Sequence, residues 1–360
     1  MNEVVKQVHS RIRSLKPYTV REVGDDIIKM DKNENPYDLP ESLKREITEA
    51  AAKRSWSRYP PIVASELHEK IARYTGWIPE GVIAGNGSDE MILMILMSFL
   101  GEGKRLVVPT PSFPMFTYIA TLIGATVVQV PLNDDFSYNP DALSDAFLDG
   151  GDLLVICSPN NPTGGLFPLD RLEDILERTT APVIMDEAYY EFSRVTALSL
   201  VEKYPNLIIF RTFSKAFSLA GQRIGYGLMS PELAVEIGKV KLPFNIDVFS
   251  ITAAMRLLEN TGILGETIEG IIRERDRLIR SMNQIEDVTV YPTASNFILF
   301  RTPYESTSVC DDILRDGILI RDLSANPALR GTLRVTTSRP SDNDRFLGSL
   351  SRIMNERGRG

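Results

Sequence analysis

Cysteine, histidine and tryptophan are scarce in this chain, with two of each among 360 residues. Cys157 and Cys310 both sit among apolar neighbours, which argues against a disulfide framework and fits a reducing cytoplasm. His9 and His68 lie far apart without ligand-like spacing, so no metal site is expected. Long apolar runs are also missing. The richest, Met91 to Leu100, is far too short to span a bilayer and predicts a buried helix. Met1 to Lys16 carries charges throughout and lacks the apolar core of a secretory signal. There is no excess of basic residues either: the formal net charge is −8, and no basic cluster interleaves with aromatics. That balance disfavours nucleic acid or an anionic membrane as the main partner. No internal repeat or low-complexity stretch stands out. What remains, 43% hydrophobic and 24% charged, is ordinary for a globular enzyme with a large core.

From about Arg105 to Met229, short β-branched runs alternate with helix-like stretches. The runs are Arg105–Val108, Thr126–Val130, Leu153–Cys157, Val183–Asp186, Leu207–Phe210 and Ile224–Gly227. Continuous apolar strands separated by helices predict an α/β fold, with a mainly parallel sheet covered on both faces. After Pro243 the pattern changes to a long helical stretch, about Ser250 to Met282. Strand-like Phe297–Phe300, Leu319–Arg321 and Leu333–Thr336 follow, which suggests a smaller α+β domain. The expected division is a large domain over 45–245, with 1–44 and 246–360 forming an N-terminal arm and a small domain.

Lys215 is the most informative residue. It follows the apolar run Leu207–Phe210 and opens onto Ala216, Gly221 and Gly225, which puts an amine at the carboxyl edge of an α/β sheet, where ligands of such sheets bind. A solvated loop lysine is the plain alternative; a desolvated one among cations becomes a nucleophile toward carbonyls. Gly85-Asn86-Gly87-Ser88-Asp89-Glu90 precedes an apolar helix. It is either a capping turn with Ser88 at the N-cap or a phosphate site at a helix N-terminus. Ser158-Pro159-Asn160-Asn161-Pro162-Thr163-Gly164 is either a rigid turn or a polar contact through Asn161. Asp186 ends a strand of apolar residues, where an ionised carboxylate needs a cation opposite it. That cation is either an arginine of the chain or a protonated ligand nitrogen. A phosphate, a ring nitrogen to be kept protonated and an aldehyde for the lysine are together the features of pyridoxal phosphate.

With these motifs the chain resembles the fold-type-I pyridoxal-phosphate-dependent aminotransferases, most closely their histidinol-phosphate branch. The resemblance runs from Leu15-Lys16-Pro17-Tyr18 through Asn33-Glu34-Asn35-Pro36, Arg58-Tyr59-Pro60 and the motifs above to Leu333-Arg334-Val335-Thr336. It implies a large domain with a seven-stranded type of sheet, and Lys215 as Schiff-base lysine and proton carrier. Asp186 would then hold the ring nitrogen, with Asn161 and Tyr189 at the phenolic oxygen. Gly87, Ser88, Asp89, Thr212, Ser214 and Arg223 would form the phosphate end, and Phe113 the stacking face. The resemblance also implies a homodimer in which Tyr59 reaches the partner's cofactor, and Arg334 at the acidic end of the substrate, backed by Tyr18, Arg321 and Asn161. Two residues depart from the pattern: Phe113 and Phe244 stand where tyrosines are usual. The activity so implied is transfer of an amino group between histidinol phosphate and 2-oxoglutarate. An aromatic or broad-range aminotransferase is the alternative, ahead of a phospho-amino-acid decarboxylase. A regulator with an aminotransferase-like sensor domain fits less well, because the segment ahead of Asn33 is short and not strongly basic. A dinucleotide-binding dehydrogenase is disfavoured by the lack of G-x-G-x-x-G after the first strand.

Overall fold

The computed structural model describes residues 2–17 and 21–358, so Tyr18 lies outside the described residues. A short strand, β1 (Ile28–Lys29), precedes the main sheet. That sheet has seven strands: β2 (Val82–Gly85), β3 (Arg105–Thr110), β4 (Thr126–Pro131), β5 (Leu153–Cys157), β6 (Val183–Asp186), β7 (Leu207–Thr212) and β8 (Gly225–Leu228). Their spatial order is β2-β8-β7-β6-β5-β3-β4. All neighbours pair in parallel except β8, which runs antiparallel to both β2 and β7.

The continuous apolar strands are buried on both sides, as the sequence predicts. Alternate side chains feed two different cores. Leu154, Ile156, Val183, Met185, Leu207 and Ile209 enter one, while Leu153, Val155, Cys157, Ile184, Ile208 and Phe210 enter the other. The second core also takes the helix Gly87–Phe99, whose Met91, Ile92, Ile95 and Leu96 are buried.

Beyond the main sheet, β9 (Thr289–Val290), β10 (Phe297–Arg301), β11 (Ile318–Leu319), β12 (Arg321–Asp322) and β13 (Thr332–Thr336) follow. Four of them form an antiparallel sheet in the order β12-β13-β10-β9, and β1 pairs with β11 in parallel.

Three expectations are corrected. The helical stretch over 250–282 is two helices, Val248–Glu259 and Gly262–Met282. Asn260-Thr261, two weak helix formers, separates them, and the weak former Gly262 opens the second helix. The first helix packs on Glu41–Ala52 and Ser65–Thr75, and the second on Pro340–Gly358. The run Leu319–Arg321 is not one strand: Leu319 ends β11 and Arg321 begins β12, in different sheets. Finally, Val82–Gly85 is a strand that the β-branched pattern did not mark, because Ala84 and Gly85 dilute it.

Candidate active site

The pairing register gathers the motifs. Cys157 at the end of β5 lies opposite Asp186 at the end of β6, and Thr212 at the end of β7 lies opposite Gly225. Because β8 is reversed, its first residue, Gly225, shares this edge and also pairs with Gly85 at the end of β2. Five strand ends far apart in sequence therefore meet at one edge, next to which Ser214, Lys215 and Arg223 line a cavity of about 710 Å³.

The helix Gly87–Phe99 starts here. Its N-cap is Asn86, which makes no side-chain cap bond, so Ser88 stands inside the first turn and not at the N-cap. The first amides of the helix thus lie at this edge, where a helix end favours anions. Two glycines allow the close fit. A Cβ on Gly225 would lie 2.5 Å from the Ser88 amide nitrogen, and one on Gly87 would lie 2.6 Å from Arg223 Nη2. Arg223 Nη2 is 3.2 Å from Asp89 Oδ2, while Nη1 donates to Ser214 Oγ at 3.4 Å and to the Ala220 carbonyl at 3.1 Å. The Ser214 amide donates to Thr212 Oγ1 at 3.1 Å. Gly87, Ser88, Asp89, Thr212, Ser214 and Arg223 thus cluster at this edge, and of them Ser214 and Arg223 line the cavity.

Lys215 lines the cavity, and its Nζ donates to the Lys32 carbonyl at 2.9 Å. Burial first, then the positive charge of Arg334, pulls its pKa from 10.5 down to about 8. Lys215 is a half-buried lysine on the cavity wall, which counts against the solvated-loop alternative.

Asp186 is 7% exposed. Its Oδ1 accepts the Ala188 amide at 3.0 Å, and the Cys157 thiol lies 3.7 Å from Oδ2. Burial raises its pKa to about 6. The arginine that could have paired with a strand-end acid pairs with the next residue instead. Arg211 Nε and Nη2 donate to Glu187 Oε2 at 3.0 and 2.9 Å, both side chains almost wholly buried. Among the described residues no ion pair forms at Asp186, which lies at the strand edge but is not among the residues that line the cavity.

Asn161, Tyr189 and Phe113 line the same cavity. Phe113 packs edge-on to Phe116. Burial lifts the Tyr189 phenol to about 12, so it stays a hydroxyl. On the far wall Arg334 Nη1 donates to Asn161 Oδ1 at 2.5 Å, and Nη2 to the Asp31 carbonyl at 2.6 Å. Arg321 lies directly across from Arg334 in the β12–β13 register and also lines the cavity.

Tyr59 is not brought in. It is 81% exposed and stacks on Phe244, with ring centroids 4.4 Å apart, in a separate surface groove with Trp56 and Phe249. Phe244 is likewise absent from the cavity wall, so of the two aromatic departures only Phe113 faces it.

The segment Asn33-Glu34-Asn35 has a role that its sequence did not disclose. Asn33 Nδ2 donates to Tyr189 Oη at 2.9 Å, and Asn35 Nδ2 donates to the Ala216 carbonyl at 3.0 Å. It ties the tyrosine and the lysine loop to the small sheet, where the Asn33 amide donates to Thr336 Oγ1 at 3.0 Å. A run rich in Asn before a Pro was the only signal, and turns share it.

With this geometry in place, comparison with known proteins is decisive. Residues 25–350 match the family model "Aminotransferase class I and II". The chain belongs to that family, whose members depend on pyridoxal phosphate. It is 39% identical over 342 residues to the histidinol-phosphate aminotransferase of Thermococcus gammatolerans, covering 95% of this chain and 96% of that one. It is 36% identical to the enzyme of the same name from Chlorobaculum tepidum, covering 95% and 99%. Among solved structures, the histidinol-phosphate aminotransferase of Sinorhizobium meliloti in complex with pyridoxal-5'-phosphate superposes with a TM-score of 0.86. That match is 25% identical and covers 97% of this chain and 98% of that chain.

Proposed function

We infer that this protein transfers an amino group between histidinol phosphate and 2-oxoglutarate, yielding imidazole acetol phosphate and L-glutamate in histidine biosynthesis. The observation that carries this reading is the pair of arginines in register, Arg334 and Arg321, on the wall of the cavity that holds Lys215. They form a site for a phosphate or a carboxylate beside a nucleophilic amine. Similarity of 36–39% identity to enzymes of that name along nearly the whole chain supports it. Steady-state kinetics with histidinol phosphate beside phenylalanine, tyrosine and aspartate tests it. Higher kcat/KM for an aromatic amino acid would replace it with the aromatic reading, which Phe113 on the cavity wall favours.

The residues present fit pyridoxal phosphate. Gly87 and Gly225 leave room where a Cβ would clash, and Asp186 is a buried acid without a cation among the described residues. When bound, the cofactor supplies an electron sink for the substrate's Cα. In this reading Gly87, Ser88, Asp89, Thr212, Ser214 and Arg223 hold its phosphate, with Asp89 orienting Arg223. Asp186 keeps the ring nitrogen protonated, Phe113 stacks on the ring, and Asn161 and Tyr189 donate to the phenolic oxygen. Lys215 binds the aldehyde and carries the proton to and from Cα. Its lowered pKa leaves a useful share of free amine near neutral pH.

Arg334, with Asn161 and Arg321, takes the anionic end of each substrate in turn. Arg334→Ala should therefore weaken both histidinol phosphate and 2-oxoglutarate, each by roughly tenfold or more in kcat/KM, since a charge-assisted contact of about 1.5–3 kcal/mol is lost. Arg321→Ala should harm the phosphorylated substrate more than the oxo acid. Equal kcat/KM losses for the two substrates in Arg321→Ala would remove Arg321 from phosphate recognition.

We place the protein in the cytoplasm as a homodimer, with Tyr59 given to the partner's site. Tyr59 cannot serve its own cavity from its groove, and Trp56, Ile62, Val63 and Leu242 leave apolar surface exposed in the same segments. No helix among the described residues is long and apolar enough to cross a membrane. Mixing inactive Tyr59→Phe and Lys215→Ala subunits should restore about one intact site per heterodimer. Heterodimers confirmed by mass but without activity would show that each subunit builds its site alone.

A further inference from the structure

We propose that Cys157 is a positioning residue that holds and tunes the Asp186 carboxylate from the neighbouring strand. The two residues face each other in the β5–β6 register and are both buried. Their side chains emerge on the same face of the sheet, the one whose core includes Cys157 and packs against Phe113. Asp186 Oδ1 is held by the Ala188 amide, and the Cys157 thiol is the side chain within hydrogen-bond range of Oδ2 at 3.7 Å. Cys157 is itself fixed: its backbone carbonyl accepts the Tyr138 hydroxyl, and Ser112 and the Phe113 amide hydrogen-bond to its sulfur. A single side chain thus touches both the acid and the loop that presents Phe113.

The choice of sulfur has a physical consequence. A hydroxyl here would donate strongly to Oδ2, drain its charge and weaken its hold on a cation. An alanine would leave Oδ2 unbound and the carboxylate free to turn. A thiol is a weak, large donor that orients the oxygen while leaving most of its charge available. Burial keeps it protonated, with its pKa pushed well above 9.0, so it acts as a donor throughout the working range. The other titratable groups that act on this pair are Asp89, Glu187, Tyr138 and Tyr189. The Tyr138 hydroxyl is held neutral by burial, as is that of Tyr189.

The effect on catalysis rests on the reading that Asp186 faces the cofactor nitrogen, so the test begins without cofactor. In the apo protein the raised Asp186 pKa means that stability is lost as pH rises through about 6. Melting curves of apo wild type, Cys157→Ser and Cys157→Ala from acid to neutral pH locate that loss. Serine should move it to lower pH and alanine to higher pH, each by about 0.5–1. A void or a packing change would lower all melting points alike without moving the pH of the loss. In the holoenzyme both variants should lose about five- to tenfold in kcat, the scale of one hydrogen bond, with KM for both substrates little changed. Unmoved apo profiles overturn the proposal. Shifted apo profiles with unchanged kcat uphold the coupling of Cys157 to Asp186, and count instead against Asp186 serving the cofactor.

Discussion

Lys215→Ala is expected to abolish turnover and the borohydride-reducible link to pyridoxal phosphate, with the fold intact. The side chain stands on a loop beside the cavity, and among the described residues its hydrogen bond is to the Lys32 carbonyl, so truncation leaves the sheet and its cores untouched. What it removes, in the proposed function, is the group that acts both as nucleophile and as proton carrier. Loss of such a group falls by orders of magnitude, since general acid–base catalysis alone contributes about 10²–10⁴-fold. Reaction of the apo wild-type protein with pyridoxal phosphate should also accelerate as pH rises through about 8, where an ordinary lysine would need about 10.5. The sign follows from the free amine being the nucleophile. A pyridoxyl adduct found on another lysine after reduction would overturn the assignment.

Asp186→Asn should cost on the order of a hundredfold or more in kcat while cofactor is still retained, because a preorganised charge is among the larger catalytic contributions. An amide cannot keep a ring nitrogen protonated, yet it fills the same space and can still accept the Ala188 amide. The apo variant carries a second expectation of opposite direction. With a pKa of about 6 in the fold against 3.8 for the unperturbed carboxyl, the charged acid destabilises the apo protein above that window. The deficit is about 3 kcal/mol. Apo Asp186→Asn should therefore melt no lower than wild type at neutral pH. Turnover close to wild type in this variant would take Asp186 out of the mechanism.

The fold class was legible because its cause is local. Apolar runs such as Val183–Asp186 can be satisfied only between two covered faces, and a parallel sheet follows. Elements whose identity depends on tertiary partners were less legible. Val82–Gly85 is a strand because β8 pairs with it, and Ala84 and Gly85 do not announce that. The break at Asn260-Thr261 is hidden within a stretch helical on both sides. At the site, the lysine and the strand-end acid could be read from position along the chain. What could not be read is that Glu187 beside it is already paired, since that depends on Arg211 reaching Glu187. Asn33 and Asn35 were invisible as clamps because both partners, Tyr189 and Ala216, lie more than a hundred residues away.

The reversed strand β8 has a geometric consequence. The chain leaves the sheet after Thr212 and returns at Gly225, and those two residues pair with each other. The excursion between them is pinned at its neck by the Phe213 amide on the Ile224 carbonyl at 3.0 Å. It is pinned at its side by the Ser218 hydroxyl on the Tyr37 carbonyl at 2.8 Å. Lys215 stands on one leg of this closed loop and Arg223 on the other. The loop thus works as a caliper whose opening is fixed by the number of residues in it. Under the proposed function, a molecule that presents an aldehyde to one jaw and a phosphate to the other would be measured for length before any chemistry begins.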